Sequence, residues 1–245
     1  MKALRVTFCL ILFFLFYSCK DDYPVSNQMD SKDHLKIEEK VEKQKTGEFT
    51  FENIDRYDKL IDSLVNLYPD PISKFNLRQV SCKNLNDDFL NIYYKDQKVR
   101  NEGVGNMETV DHENLQNLVS IIEKCGFPKS GQLRDFRGYL GIFVVLQHSD
   151  PEWIAFYYND FKDLVNNCSI PRDFLALLQD RFLLLNDQPQ IYGTQMQNGK
   201  LYKLVDPESV GQRRRNMGFA ETLSVYLSRH GLKLKDELKR LSSIK

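Results

Sequence analysis

Neither sign of charge prevails in this 245-residue chain, where 34 Lys+Arg face 34 Asp+Glu. A protein that grips a phosphate backbone carries a basic face, so nucleic acid is not an expected partner. No C-x-x-C pair and no Cys/His spacing suited to zinc occurs. No serine stands in a nucleophile-elbow context, which leaves Ser-His-Asp catalysis without support. No segment repeats at a solenoid period. Tryptophan is nearly absent, one against 16 Phe and 12 Tyr, so the core is built from Phe and Tyr. Long apolar runs are also lacking: the longest, Val6 to Tyr17, is too short to span a bilayer comfortably.

That run has the proportions of a signal peptide, with Lys2 and Arg5 as its basic start. An A-x-A cleavage site is missing, and the run stops at Ser18-Cys19. This resembles a bacterial lipoprotein signal, in which Cys19 becomes the lipidated first residue of the mature chain and the membrane the partner. Phe16 and Tyr17 are bulkier than usual before such a cysteine, and an ordinary secretory signal or membrane anchor is the alternative. Cys19-Lys20-Asp21-Asp22 looks like the signal that flavobacterial-type lipoproteins carry for export to the outer face of the outer membrane. Residues 20 to 48 are charged, with scattered apolar residues that bury no face, and read as a flexible tether. Of the remaining cysteines, Cys82, Cys125 and Cys168, at most one pair can form. Small buried thiols are the favoured expectation over a disulfide.

The folded part runs from 49 to 245, and its 42% hydrophobic content suits one sizeable core. Apolar periodicity predicts helices over about 53–68, 84–100, a third capped by Asp111, then 137–149, 151–166 and 171–185. The 137–149 helix is apolar almost all round and should be central. Gln190 to Gln195 reads as strand, and Asn198-Gly199 as the two-residue loop of a hairpin over about 190–205. On that register Tyr192 and Thr194 share one face, Gly193 and Gln195 the other. A helix carrying Arg213, Arg214 and Arg215, another over 219–229 and a basic tail follow. The fold class is mainly α (α+β): a multi-helix single domain with one β-hairpin.

Polar residues inside apolar runs mark a candidate site. Asp180 and Arg181 interrupt an apolar helix, and a buried charge without a partner costs a few kcal/mol. Gln147 and His148 end the most apolar helix. His148, Asp150 and Asp180 are the candidate catalytic residues, with His148 as proton carrier. Gln147, Arg181, Tyr192, Thr194, Gln195, Arg213 and Arg214 are the candidate ligand-binding residues, suited to a small polar or anionic ligand. Plainer readings stand beside these. Asp180-Arg181 can be a structural ion pair, His148 a cap, the arginine triplet a solvated face, and Gly193 a strand bulge. A metal site from His148, Asp150 and Asp180 is weakly supported, and no cofactor is expected.

One series of motifs occurs in order: Asp96-Gln-x-x-Arg100, Asp111-x-x-Asn114, Gly126-x-Pro128, Gln147-His-x-Asp150, Asp180-Arg181, Gln190-x-Tyr-Gly-Thr-Gln195 and Arg213-Arg214-x-x-x-Gly218. It resembles a widespread bacterial domain family whose biochemical function is not established. The resemblance covers about residues 85 to 227, and its most specific element is Gln-x-Tyr-Gly-Thr-Gln. Phe127 departs from the pattern, which has tryptophan there. The resemblance implies that these polar positions form one cluster, and it implies no substrate. Two functions follow as expectations: a ligand-binding or acid/base hydrolytic domain, or a non-catalytic envelope scaffold in which the polar residues only satisfy one another.

Overall fold

The computed structural model describes residues 55–243. The expected signal peptide, the lipidated Cys19 and the tether lie outside the described residues. Nine α-helices and one two-stranded antiparallel sheet form the domain described. They are α1 (Asp55–Val65), α2 (Leu85–Glu102), α3 (Met107–Cys125), α4 (Phe136–His148), α5 (Pro151–Asn166) and α6 (Arg172–Leu185). Then come β1 (Met196–Gln197), β2 (Lys200–Leu201), α7 (Val210–Asn216), α8 (Leu223–Arg229) and α9 (Leu234–Ser242). The mainly α architecture with one hairpin is as expected. Among the described residues no helix is long and apolar enough to cross a membrane.

Helix α4 is the axis of the core. Asp135 caps it by accepting the Arg137 amide hydrogen bond, and every residue from Gly138 to Gln147 is buried. Helix α2 lies against it more extensively than any other pair of elements packs. Gly141 makes that approach possible, because a Cβ there would meet the backbone oxygen of Phe89 at 2.4 Å. On the other side, Phe174 of α6 meets the α4 ring of Phe143 edge-on, 5.0 Å between centroids. A smaller core of Leu201, Leu204, Val210, Leu223, Tyr226 and Leu227 holds the hairpin to α7 and α8.

Four expectations need correction. First, Asn106 rather than Asp111 caps α3: its side chain accepts from the Thr109 amide, and Asp111 sits a turn further on, free to pair elsewhere. Second, among the described residues only four form strand. The turn at Asn198-Gly199 sits where expected, but Gln190 to Gln195 is a loop, so its side chains do not alternate: Tyr192, Thr194 and Gln195 are all buried. Third, the basic tail ends in a helix, α9, whose Glu237 accepts from the Leu201 amide and whose Arg240 donates to the Leu201 carbonyl. The spacing Leu234, Leu238, Leu241 carried that signal.

Fourth, Cys82 and Cys125 form a disulfide, and Cys168 stays free. Cys82 is exposed and Cys125 half-buried, so neither is a core thiol. The bond ties the segment before α2 to the end of α3. That segment is already strapped along α3: Arg78 donates its amide to Ser120, and the Asn76 and Val80 carbonyls accept from Gln116 and Lys124. The crosslink closes a 43-residue separation. Loop-closure entropy for such a ring is about 4 kcal/mol, an upper value because the strap persists when it opens. Reduction should therefore lower the urea midpoint and raise the m-value. An unchanged midpoint after full reduction would show the strap alone sufficient.

Candidate functional site

The expected polar residues separate into two groups. One is built around Asp180 and is closed. The Asp180 carboxylate is fully buried and accepts from the amides of Ile191 (2.6 Å), Tyr192 (3.0 Å) and Thr194 (3.0 Å), and from the Thr194 hydroxyl (2.9 Å). Gly193, at φ 73°, lets the loop fold around the carboxylate, a left-handed turn that glycine adopts freely. Burial pushes the carboxyl above its usual range, and the four donors oppose that. Gln190 locks the loop from within, accepting from the Gln195 amide and donating to the Gln195 and Tyr202 carbonyls.

The arginines complete this cradle from outside. Arg213 donates to the carbonyls of Ile191, Val205 and Asp206, and Arg214 to those of Tyr192 and Glu221. Both are buried, and only Arg215 is exposed, so the solvated-face reading of the triplet fails for its first two members. Arg214 also lies over the Phe219 ring, 4.1 Å from its centroid. Asp180, Thr194, Gln195, Arg213 and Arg214 thus spend their polar atoms on one another and on loop backbone. The Tyr192 hydroxyl is the exception, buried without a hydrogen-bond partner.

The second group lies where α2, α3 and α4 meet. Arg100 of α2 is its centre. Its Nε donates to His148 Nε2 at 3.0 Å and lies 3.2 Å from Asp96, and its Nη2 holds Asp111 at 2.7 Å. Its Nη1 is buried without a partner. Two acceptors in the same three helices are likewise buried and unmatched, Asn114 Oδ1 and Gln147 Oε1. Asn114 lies a turn beyond Asp111 and donates to the Ile92 carbonyl, one turn before Asp96.

The titration of this group follows from its burial. Asp96 is pushed up to about 6 by desolvation, against the pull of Arg100 and Gln97. His148 is held well below its ordinary value by burial, then by the positive charges of Arg100 and Arg181. It is therefore neutral, and because Nε2 accepts from Arg100 its proton sits on Nδ1. That geometry gives His148 a hydrogen bond to donate and occupies the lone pair a base would use. Asp96, in contrast, can gain and lose a proton near neutral pH.

The Asp96 shift has a measurable sign. Its folded value lies above the ordinary 3.8, so protonation favours the fold. The contribution is full below about pH 4 and is lost as pH rises through 6. The difference in unfolding free energy between wild type and Asp96→Asn should therefore shift in favour of wild type on acidification from pH 7 to 4, by about 2 kcal/mol. A pH-independent difference would mean Asp96 titrates as an ordinary carboxyl.

Asp150 stands apart from both groups. It occupies the position before α5 without capping it and lines a cavity of about 210 Å³ with Asp70, Phe75, His112, Glu152 and Trp153. The cavity adjoins the second group along the chain, since His112 follows Asp111 and Asp150 lies two residues beyond His148. Among the described residues no cluster of three or more His, Cys, Asp or Glu could hold a metal ion. Asp96, Arg100, Asp111 and Asn114 were not among the candidate residues. The Asp96–Arg100 spacing and the two motifs that contain these four carried the signal. No protein-family model, curated protein or solved structure matches this chain.

Proposed function

We propose that this chain is a lipid-anchored exported protein whose helical domain binds a small polar ligand at the Arg100–His148 group. The observation that carries the reading is the Arg100 guanidinium. Asp96, Asp111 and His148 fix its orientation while the buried Nη1 amino group stays open. Unmatched buried donors are rare because each costs about 1–3 kcal/mol, and a preorganised guanidinium is well shaped for an acceptor oxygen. Where the ligand is turned over, the chemistry is acid/base hydrolysis: Asp96 exchanges the proton and His148 donates a hydrogen bond from Nδ1. The disulfide supports an oxidising address, in keeping with export and a Cys19 anchor at the outer membrane, exposed on the cell surface.

A non-catalytic scaffold is the second reading, and the closed Asp180 cradle favours it for that half of the expected residues. Thermal unfolding of the full chain with inorganic phosphate, carboxylic acids and sugars separates the two. On the binding reading a member of this set raises the wild-type Tm, and Arg100→Gln loses the shift while remaining folded. Equal behaviour of the two proteins sinks it. The anchor has its own check: Cys19→Ala should leave the membrane fraction, and a variant still processed and membrane-bound would refute lipidation.

A further inference from the structure

The even balance of charge conceals a separation of charge along the chain. From residue 196 to 243 there are ten Lys and Arg against five Asp and Glu; from 55 to 195 there are fifteen against twenty. The positive stretch is the lobe built on the smaller core, with the hairpin, α7, α8 and α9. Its five arginines are engaged inside the lobe. Arg213 and Arg214 are buried against carbonyls, and Arg215 donates to Gln212. Arg229 pairs with Glu221 at 3.0 Å and Arg240 with Glu237 at 2.7 Å. The five lysines are not so engaged: Lys200, Lys203, Lys233, Lys235 and Lys239 are all exposed, and none has an ion pair among the described residues. The exposed carboxylates of the lobe are fewer, Asp206, Glu208 and Asp236.

The fold gathers these lysines. Leu201, next to Lys200, is held to α9 through both its amide and its carbonyl, by Glu237 and Arg240. Lys235 and Lys239 are four apart on α9 and share a face, while Leu234 and Leu241 pack against the smaller core. The lobe also flanks the point where the chain enters the domain. Tyr57, in the first turn of α1, donates to Asp206 at 3.2 Å, and the Arg213 guanidinium lies over its ring at 5.6 Å.

We infer that this lobe is the face that the domain lays against an anionic lipid surface. Each lysine near an anionic leaflet strengthens association about fivefold. Lysine is a flexible point charge, suited to headgroup phosphates that have no fixed geometry. The acidic body is repelled by the same surface, so a chain without net charge is still oriented by it. The inference rests on the proposed function in one respect: the anchor at Cys19 brings the domain to a membrane, and the anchored chain reaches the domain through α1, beside the lobe.

The test measures co-sedimentation of the full chain with vesicles of phosphatidylcholine alone, and of phosphatidylcholine with about a quarter phosphatidylglycerol. Binding to the neutral vesicles reports apolar attachment, and the ratio of anionic to neutral binding reports the lobe. The expected ratio is about a hundredfold at low salt, falling toward one as salt shortens the screening length to about 3 Å at 1 M. Lys235→Gln with Lys239→Gln should lower the ratio about twentyfold at an unchanged Tm. Lys95→Gln with Lys98→Gln, exposed lysines of α2 in the acidic body, changes the net charge equally and should leave the ratio as it is. A wild-type ratio near one overturns the inference, as do equal losses in the two double variants. Tighter binding to polyphosphate than to anionic vesicles at equal phosphate also overturns it, in favour of a soluble polyanion. A Cys19→Ala chain that matches wild type on neutral vesicles sinks the anchor alone, and a ratio that survives in it upholds the lobe.

Discussion

Replacing Asp180 by alanine is expected to cost the domain about 5 kcal/mol, a third or more of the roughly 5–15 kcal/mol by which a folded protein is stable. Removing its carboxylate strands three buried backbone amides and a hydroxyl at once. Water cannot replace it readily, because Asp180, Ile191 and Tyr192 are all at 0% exposure. Asp180→Asn should recover part of the loss, since one amide oxygen still accepts while the NH₂ faces amide donors. Equilibrium urea unfolding is the measurement. A loss below 1 kcal/mol for the alanine variant would mean that the loop is held by Arg213 and Arg214 without it.

Gly141→Ala is expected to be nearly as damaging, about 3 kcal/mol, although alanine is intrinsically the better helix former by about 1 kcal/mol. The added methyl would lie 2.4 Å from the Phe89 backbone oxygen, and no rotamer change relieves a clash with backbone. Helix α2 must then move off α4. The displacement would also carry Arg100 away from His148, whose 3.0 Å hydrogen bond depends on that approach. Gly138→Ala is the natural control. Its methyl would press only on the end of the Leu133 side chain, at 3.1 Å, with Leu133 Cβ and Phe89 Cβ at ordinary contact distances of 3.6 and 3.7 Å, and should cost less. Similar melting temperatures for the two variants would remove Gly141 as the determinant of helix spacing.

The sequence showed more of the fold than of the site, for a physical reason. Apolar periodicity and Pro151 placed α2, α4, α5 and α6 within a few residues, because local pattern decides a buried helix face. The stretch Gln190 to Gln195 misled, since its composition suits a strand and only a distant carboxylate, Asp180, turns it into a loop. Asp180 itself was legible as a charge that needs partners, but not that the partners are backbone amides. Arg213 and Arg214 looked like surface because nothing local reveals which carbonyls a loop will turn toward them. The Asp96–Arg100 pair was visible as a helical i,i+4 spacing. Its coupling to Asp111 and His148 depends on how closely α2, α3 and α4 pack. The disulfide was unreadable from three cysteines, since pairing is decided by where the 76–80 strap runs.

That disulfide changes what a protease can do to this protein. Helices α2 and α3 both lie inside the covalent ring, and the turn between them is its most open point. Residues 103–106 are exposed there, with Gly103 and Gly105 in left-handed conformations. A cut in this turn severs the main chain without releasing a fragment, since Cys82 belongs to one piece and Cys125 to the other. A nicked molecule would run as one band without reductant and as two with it. Outside a cell, where proteases are met and thiol reductants are scarce, such a molecule would keep Arg100 and Asp111 on opposite sides of the break and still within reach of each other.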